Sequence, residues 1–377
     1  MSAARAVGDK GRRVTEIGPG KTHMNLLAGL SPEAAANNLK SVLLLVGSGQ
    51  SESPIWVNTA GDWLQSGLGV LSFTDNYSLY GLYKYLFDPE FHANIDAELE
   101  YQIESHLDER GIALAESYLN YQNNIFAQFD ARFVADVRAT VAQILGLFQH
   151  PALVSAFCDV NDSSHMATMM NDVLNGTVYL VDLPLSKWGL GGKTAYTILK
   201  LRFFSVALAR TETIQRTDKP VFFMCDEYQE IISANADGLS DLSFWDKSRE
   251  AKCMGIVSWQ GISSIYASIG DRDVADAILQ NFRQRIILRT EDENTLHKIG
   301  AVAGSVPVER VSKNQSVSGS VERDYSTSKG SSRQETDKAV IDPQVIRQLG
   351  PDEAIALLNI GGYAVDDVIS FTPIYVT

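Results

Sequence analysis

Two carboxylates, Asp226 and Glu227, close a run of five apolar residues (Val221 to Cys225) in the stretch KPVFFMCDEYQE. Such a run reads as a buried strand. Acids at the C-terminal end of a parallel strand stand where ligands bind in open α/β sheets. Two adjacent acids there can divide the hydrolysis of a nucleoside triphosphate. Asp226 would hold Mg²⁺ through a water, and Glu227 would orient and polarise the attacking water. In the following apolar run, GIVSWQG, Gln260 comes level with Asp226 if the strands are neighbours. An amide there can bond a terminal phosphate and the lytic water together. Arg249 precedes that strand, and Arg283, Arg285 and Arg289 flank the next one. The guanidinium fork of Arg249, Arg283 or Arg285 suits a phosphoryl transition state and can be donated across a subunit interface. Each feature alone has a plainer reading: a strand that stops in acids, a polar strand end, a solvated arginine.

The other half of such a site is a phosphate loop, and no G-x-x-x-x-G-K-[ST] pattern occurs in the sequence. Two stretches contain Gly-Lys-Thr: TEIGPGKT (15–22) and KWGLGGKT (187–194), with Thr15 and Lys187 where the first glycine belongs. Glycines in a true loop let successive backbone N–H groups wrap a phosphate. The second stretch follows a strand and opens a helix, so Lys193 and Thr194 are phosphate-binding candidates only if GLGGKT forms such a loop. The simpler reading is a flexible turn and a helix start.

Composition narrows the class. The chain has 377 residues, 45% hydrophobic and 21% charged, which describes a globular protein with a substantial core. A net charge of −14 argues against a surface coated in phosphate-binding residues, although a local basic channel remains compatible with it. Cys158, Cys225 and Cys253 are far apart and fit no zinc spacing with His150 or His165. Buried thiols in a reducing compartment are expected. No run of eighteen apolar residues and no signal-peptide pattern occurs, so the expected location is cytoplasmic, with no direct membrane span in this chain.

The elements that must position the site fall into two textures. From Ser31-Pro32-Glu33, a helix start by cap, proline and acid, the pattern is helical to about residue 172. Trp56, Ala60, Trp63, Leu64, Leu68 and Leu71 recur at threes and fours; so do Ile95, Leu99, Ile103 and Leu107, then Val134, Val137, Val141, Ile144 and Phe148. After residue 173, short apolar runs (176–185, 220–227, 253–260, 283–290) alternate with helical stretches, which predicts a parallel sheet covered on both faces. Residues 311–339 are serine-rich and are expected to form an edge strand and then a loop. A last helix and two strands close the chain.

This order of elements resembles the TraG/TraD-type coupling proteins of conjugation and type IV secretion. The likeness rests on NLLAGLSPEAAANNLKS, SPIWVNTAGDWLQSGLGVL, GTVYLVDLPLSKWGLGG, VFFMCDEYQEII, SREAKCMGIVSWQGISSI, ILQNFRQRIILRTEDENT and VIDPQVIRQLGPDEAIALLNIGG. The resemblance implies an α/β, RecA-like fold of the P-loop NTPase type. That fold has a mostly parallel sheet with helices on both faces and an inserted all-α domain. Residues 1–30 would lead into it, downstream of the phosphate-loop (Walker A) strand. Residues 31–172 would be the insertion and 173–377 the rest of the motor domain. By the same resemblance Asp226 and Glu227 are the Walker B pair, Gln260 is the sensor, ATP and Mg²⁺ are the cofactors, and Asp226 is the metal residue.

The implied function is the motor module of a coupling protein. It would form a homo-oligomeric ring, a hexamer, at the cytoplasmic face of a bacterial inner membrane. There it would recruit DNA–relaxase or protein effector cargo to type IV secretion channel components and drive transfer by ATP hydrolysis. The alternative is a non-catalytic structural subunit of such a ring, unable to bind ATP alone.

Overall fold

The computed structural model describes residues 13–46, 54–161, 171–212, 219–235, 238–318 and 326–372. The chain forms two compact units, the first mainly residues up to 260 with 264–281, the second residues 261–263 and 282–375.

The first unit opens with strand β1 (Val14–Ile17) and a block of helices: α1 (Pro32–Val46), α2 (Pro54–Leu71), α3 (Leu79–Phe87), α4 (Pro89–Ser105), α5 (Glu109–Asn120), α6 (Ala131–Leu145) and α7 (Pro151–Phe157). Their starts are written in the sequence. Ser78, Asp88, Asp108, Asp130 and His150 each accept a hydrogen bond from a first-turn amide, which satisfies donors that a helix leaves orphaned. Most of the periodic apolar residues form the core: Ala60, Trp63, Leu64, Leu68, Leu71, Ile95, Leu99, Val137, Val141, Ile144 and Phe148 are buried, and Trp56, Ile103, Leu107 and Val134 are half-buried against them. Trp63 stacks on Phe126 at 4.5 Å and meets the edge of Phe87 at 5.8 Å. Among the described residues, no single helix is long and apolar enough to cross a membrane.

β1 pairs in parallel with β2 (Val178–Val181), Val14 opposite Val178. Helix α8 (Leu185–Ala209) follows and buries Ile198, Leu201 and Phe204. Strand β3 (Val221–Cys225), the short helix α9 (Asp241–Trp245) and strand β4 (Cys253–Val257) come next, and β3 and β4 pair in parallel with Val221 opposite Cys253. One face of this pair turns Phe223 toward Phe204, Tyr228 and Trp245. The other face is open: Phe222 is 53% exposed, Met224 71%, Met254 50% and Ile256 53%. Helices α10 (Ile262–Ile269) and α11 (Arg272–Leu279) follow.

The second unit departs from the sequence expectation in two places. Strand β5 (Arg285–Ile287), expected in the parallel sheet, pairs antiparallel with β8 (Glu353–Ile360). The Gln284 side chain locks that register by donating to the Asn359 carbonyl and accepting from its amide. β8 turns back into β9 (Tyr363–Ser370) through Gly361 and Gly362, both at positive φ as a tight hairpin requires. The serine-rich stretch, expected to end in a loop, instead supplies both strands of a hairpin, β6 (Ser305–Ser318) and β7 (Ser326–Ala339), fully paired from Ser305–Ala339 to Ser318–Ser326. Backbone pairing needs no apolar core pattern, so its polar composition conceals it. The tip, 319–325, lies outside the described residues. Helix α12 (Glu293–Ala303) and helix α13 (Pro343–Gln348) complete the unit around Ile299, Ile346, Ile355 and Leu357.

A polar cluster pins α4 to α3. The Tyr85 hydroxyl donates to Asp96 Oδ1 at 2.8 Å, and His92 Nε2 lies 3.3 Å from Asp96 Oδ2. The Asp96 bond, with those to Tyr85 and Asn123, outweighs burial and lifts the His92 pKa to about 9. Burial pushes the Asp96 carboxyl up, but bonds from His92, Asn123 and Tyr85 outweigh it and leave it lowered. The raised His92 therefore contributes stability that is complete below its ordinary value of 6.5 and is lost as pH rises through about 9. Comparing urea midpoints at about pH 6 and about pH 10 tests this: Asp96→Asn should remove most of that pH dependence. An unchanged slope would show that the pair contributes nothing.

Candidate functional site

The parallel register of β3 and β4 brings their C-terminal tips together and stitches them with backbone bonds. The Ser258 amide donates to the Cys225 carbonyl at 3.0 Å, and the Tyr228 amide donates to the Ser258 carbonyl at 2.8 Å. Because Cys225 faces Val257, the residue level with Asp226 is Ser258, and Gln260 lies two residues further on. The Ser258 hydroxyl donates to Asp226 Oδ1, which also accepts the Glu227 amide at 3.0 Å. Asp226 Oδ2 has no partner among the described residues. Asp226, Glu227 and Gln260 are all exposed. Sequence reasoning passed over Ser258, because the register of the two strands is set by their pairing and not by either run alone.

Glu227 occupies the left-handed region at φ 49 and ψ 46, a conformation that costs a non-glycine residue about 1–2 kcal/mol. What holds it lies directly after it. Tyr228 is fully buried, and its hydroxyl donates to Asp241 Oδ1 and accepts from Trp245 Nε1 at 2.7 Å. Asp241 Oδ2 accepts Lys200 Nζ at 2.5 Å, the Ser233 amide at 2.7 Å and the Ser233 hydroxyl at 2.9 Å. Lys200 Nζ also donates to the Ile231 carbonyl. Side-chain exposure is 1% for Lys200 and 0% for Asp241. Burial, then the neighbouring Asp241 charge, holds the Tyr228 hydroxyl protonated well above its ordinary range. Sequence reasoning also missed this network. Its one signal was Lys200, a cation in the middle of the apolar helix stretch TAYTILKLRFF.

The remaining candidates separate. Arg249 lies in the turn leading into β4, at the end opposite Asp226 and Gln260, and is exposed. Five residues at roughly 3.3 Å each put about 16 Å between the two ends of the strand. Arg249 therefore cannot serve Asp226 within its own subunit. Arg283 and Arg285 belong to the second unit; Arg283 is exposed, and Arg285 Nε donates to the Phe282 carbonyl at 3.0 Å.

Neither Gly-Lys-Thr stretch forms a phosphate loop. GLGGKT begins at the kink in α8: Gly189 is non-helical at φ 48, and the helix resumes at Leu190, which is the turn and helix start of the simpler sequence reading. Thr194 is fully buried with its hydroxyl donating to the Leu190 carbonyl at 2.9 Å, and Lys193 Nζ faces Glu230 at 3.4 Å. In TEIGPGKT, Lys21 Nζ is held by Asp182 at 2.6 Å and Glu16 at 2.7 Å.

The donor set at the strand tips suits Mg²⁺, a hard cation that takes oxygen ligands and keeps several waters. Asp226 would hold it through Oδ2 and an intervening water, and the ion would supply charge for a phosphoryl group. The strand tips thus gather exposed oxygen donors, and no described residues beside them form an amide cradle for a phosphate.

Known proteins bear on the fold. Residues 220–351 match the family profile described as the TraM recognition site of TraD and TraG. The bacterial conjugative coupling protein TrwBΔN70, in an unbound form, superposes with a TM-score of 0.64 at 13% identity, covering 99% of this chain and 80% of that one. TrwB in complex with the GTP analogue GDPNP gives 0.63 at 12% identity (97% and 80% covered). TrwB with ADP and Mg²⁺ gives 0.61 at 13% identity (97% and 78%). No curated protein sequence matches the chain. The resemblance to TraG/TraD-type coupling proteins holds, and the fold is the RecA-like α/β class with its helical block.

Breaking the buried pair tests the network's role. Asp241→Asn leaves the Lys200 charge buried without its counter-ion and should cost about 3–5 kcal/mol in chemical denaturation. The double variant Lys200→Met with Asp241→Leu should recover part of that loss. Equal stability of wild type and Asp241→Asn would remove the pair from any structural account.

Proposed function

We propose that this chain is the motor module of a conjugative coupling protein, whose strand tips serve ATP hydrolysis. The observation that carries the reading is the pairing of exposed Asp226 and Glu227 with Gln260 on adjacent parallel strand ends. In the proposed mechanism Ser258 and the Glu227 amide occupy Asp226 Oδ1 and aim Oδ2 outward. Glu227, set by its left-handed backbone, accepts a proton from the attacking water, and the Gln260 amide orients that water. Arg249, about a strand length from its own carboxylates, reaches a neighbouring subunit's site in a homo-oligomeric ring, a hexamer. Arg283 and Arg285 are further candidates for the same trans role.

The phosphate cradle has to be supplied from outside the described residues. The open face of β3 and β4, with Phe222, Met224, Met254 and Ile256, supports this, because parallel strands are normally covered on both faces. Bound ADP and Mg²⁺ in a TrwB structure support the cofactor assignment. The profile description supports a TraM-type partner for residues 220–351, and the helical block of residues 31–172 would face DNA–relaxase or protein cargo. The ring would dock on type IV secretion channel components at the cytoplasmic face of the inner membrane.

A second reading, a structural subunit of such a ring, is favoured by the helical conformation of GLGGKT. Calorimetry with Mg-ATP and a phosphate-release assay separate the two. The motor reading expects binding that survives Glu227→Gln while hydrolysis falls by about 10² or more. No binding to either protein would overturn it in favour of the structural subunit.

A further inference from the structure

A cavity of about 320 Å³ opens in the helical block between α2, α3, α4 and α6, at the small end of the range for ligand sites. Its walls are Trp63, Phe87, Phe126 and Val134, with Arg138 and His92 as the polar groups that matter. The Arg138 guanidinium lies 5.4 Å from the ring centroids of both Trp63 and Phe87 and donates to the Leu86 carbonyl at 3.1 Å. No carboxylate among the described residues pairs with it. Asp88 also lines the cavity, but its Oδ1 is engaged by the Glu90 and Phe91 amides. His92 is matched by Asp96. The site therefore offers aromatic walls and the exposed Arg138 guanidinium, free of any ion pair among the described residues and able to take one carboxylate.

We propose that this cavity docks a peptide segment presenting one apolar or aromatic side chain beside a single carboxylate. The side chain lies against Phe87, Val134 and the edge of the Trp63–Phe126 stack, and the carboxylate meets Arg138. Nucleic acid is the weaker occupant on charge. Helix α4, which carries His92, holds Glu90, Asp96, Glu98, Glu100 and Glu104 with no lysine or arginine, so a run of phosphates would be repelled where one carboxylate is accommodated. The site is independent of the nucleotide chemistry proposed above and stands or falls apart from it.

Fluorescence anisotropy with labelled tetrapeptides tests the proposal on the full chain. The Gly-Asp-Phe-Gly probe should bind saturably. Gly-Lys-Phe-Gly and Gly-Asp-Ser-Gly should each bind roughly tenfold more weakly or worse. Arg138→Gln should weaken the first probe by about tenfold, with Arg138→Lys intermediate, because the guanidinium supplies both stacking and a fork of donors. Ala127→Trp, at an exposed position on the cavity rim, should block binding while the thermal midpoint stays put. Equal binding of the lysine and aspartate peptides overturns the proposal. So does indifference to Arg138→Gln, or tighter binding of oligo-dT than of any peptide. The wild-type peptide comparison decides the matter even if a variant fails to fold.

Discussion

The buried pair of Lys200 and Asp241 is the constraint on which the candidate site depends. Two charges withdrawn from water are costly, and their attraction compensates only when every remaining donor and acceptor is also met. Here Ser233, Tyr228, Trp245 and the Ile231 carbonyl meet them. The network ties α8 to the segment that begins immediately after Glu227, through a tyrosine that can be seated in only one way. That is the kind of over-determined surrounding in which a left-handed glutamate persists. Its role is placement more than net stabilisation, because a well-packed apolar replacement could be equally stable without aiming anything.

The two ends of the β3–β4 pair do different work. Their carboxyl tips carry every acid and amide of the candidate site, held in register by alternating backbone bonds through Ser258. The opposite end carries Arg249 and points away from that chemistry. A strand about 16 Å long separates the exposed carboxylates at one end from Arg249 at the other. The open apolar side of the same pair fits a module built to be covered. Phe222, Met224, Met254 and Ile256 alternate with residues that pack inward, as a doubly covered strand requires.

The helical block stands on separate physics. Side-chain caps start its helices, and stacked aromatics fill its core. Gly69 lets the Tyr118 ring lie against α2, since a Cβ there would fall 2.4 Å from the ring. Its cavity sets the Arg138 guanidinium beside the rings of Trp63 and Phe87.

Much of this was determined by sequence alone. The periodic apolar positions named the helical core, because burial of one face every 3.6 residues leaves a mark that does not depend on partners. The apolar run ending in Asp226 and Glu227 named the strand and the end at which the two acids are exposed, because a buried strand leaves an apolar run that stops where the chain reaches solvent. Only the tertiary structure decided the rest. Ser258 could be matched with Asp226 only after the register of two strands was known. Lys200, Tyr228 and Asp241 lie 13 to 41 residues apart, and no local pattern announces a cation that will be buried opposite an acid. The serine-rich hairpin is held chiefly by its backbone ladder, and β5 pairs antiparallel with β8 beside a Gln284–Asn359 side-chain clamp. In GLGGKT, Gly189 supplies a positive-φ kink and the helix resumes after it, with Thr194 buried by its tertiary setting. Local periodicity is a property of one segment, whereas register, burial of charge and strand choice are settled by contacts between segments.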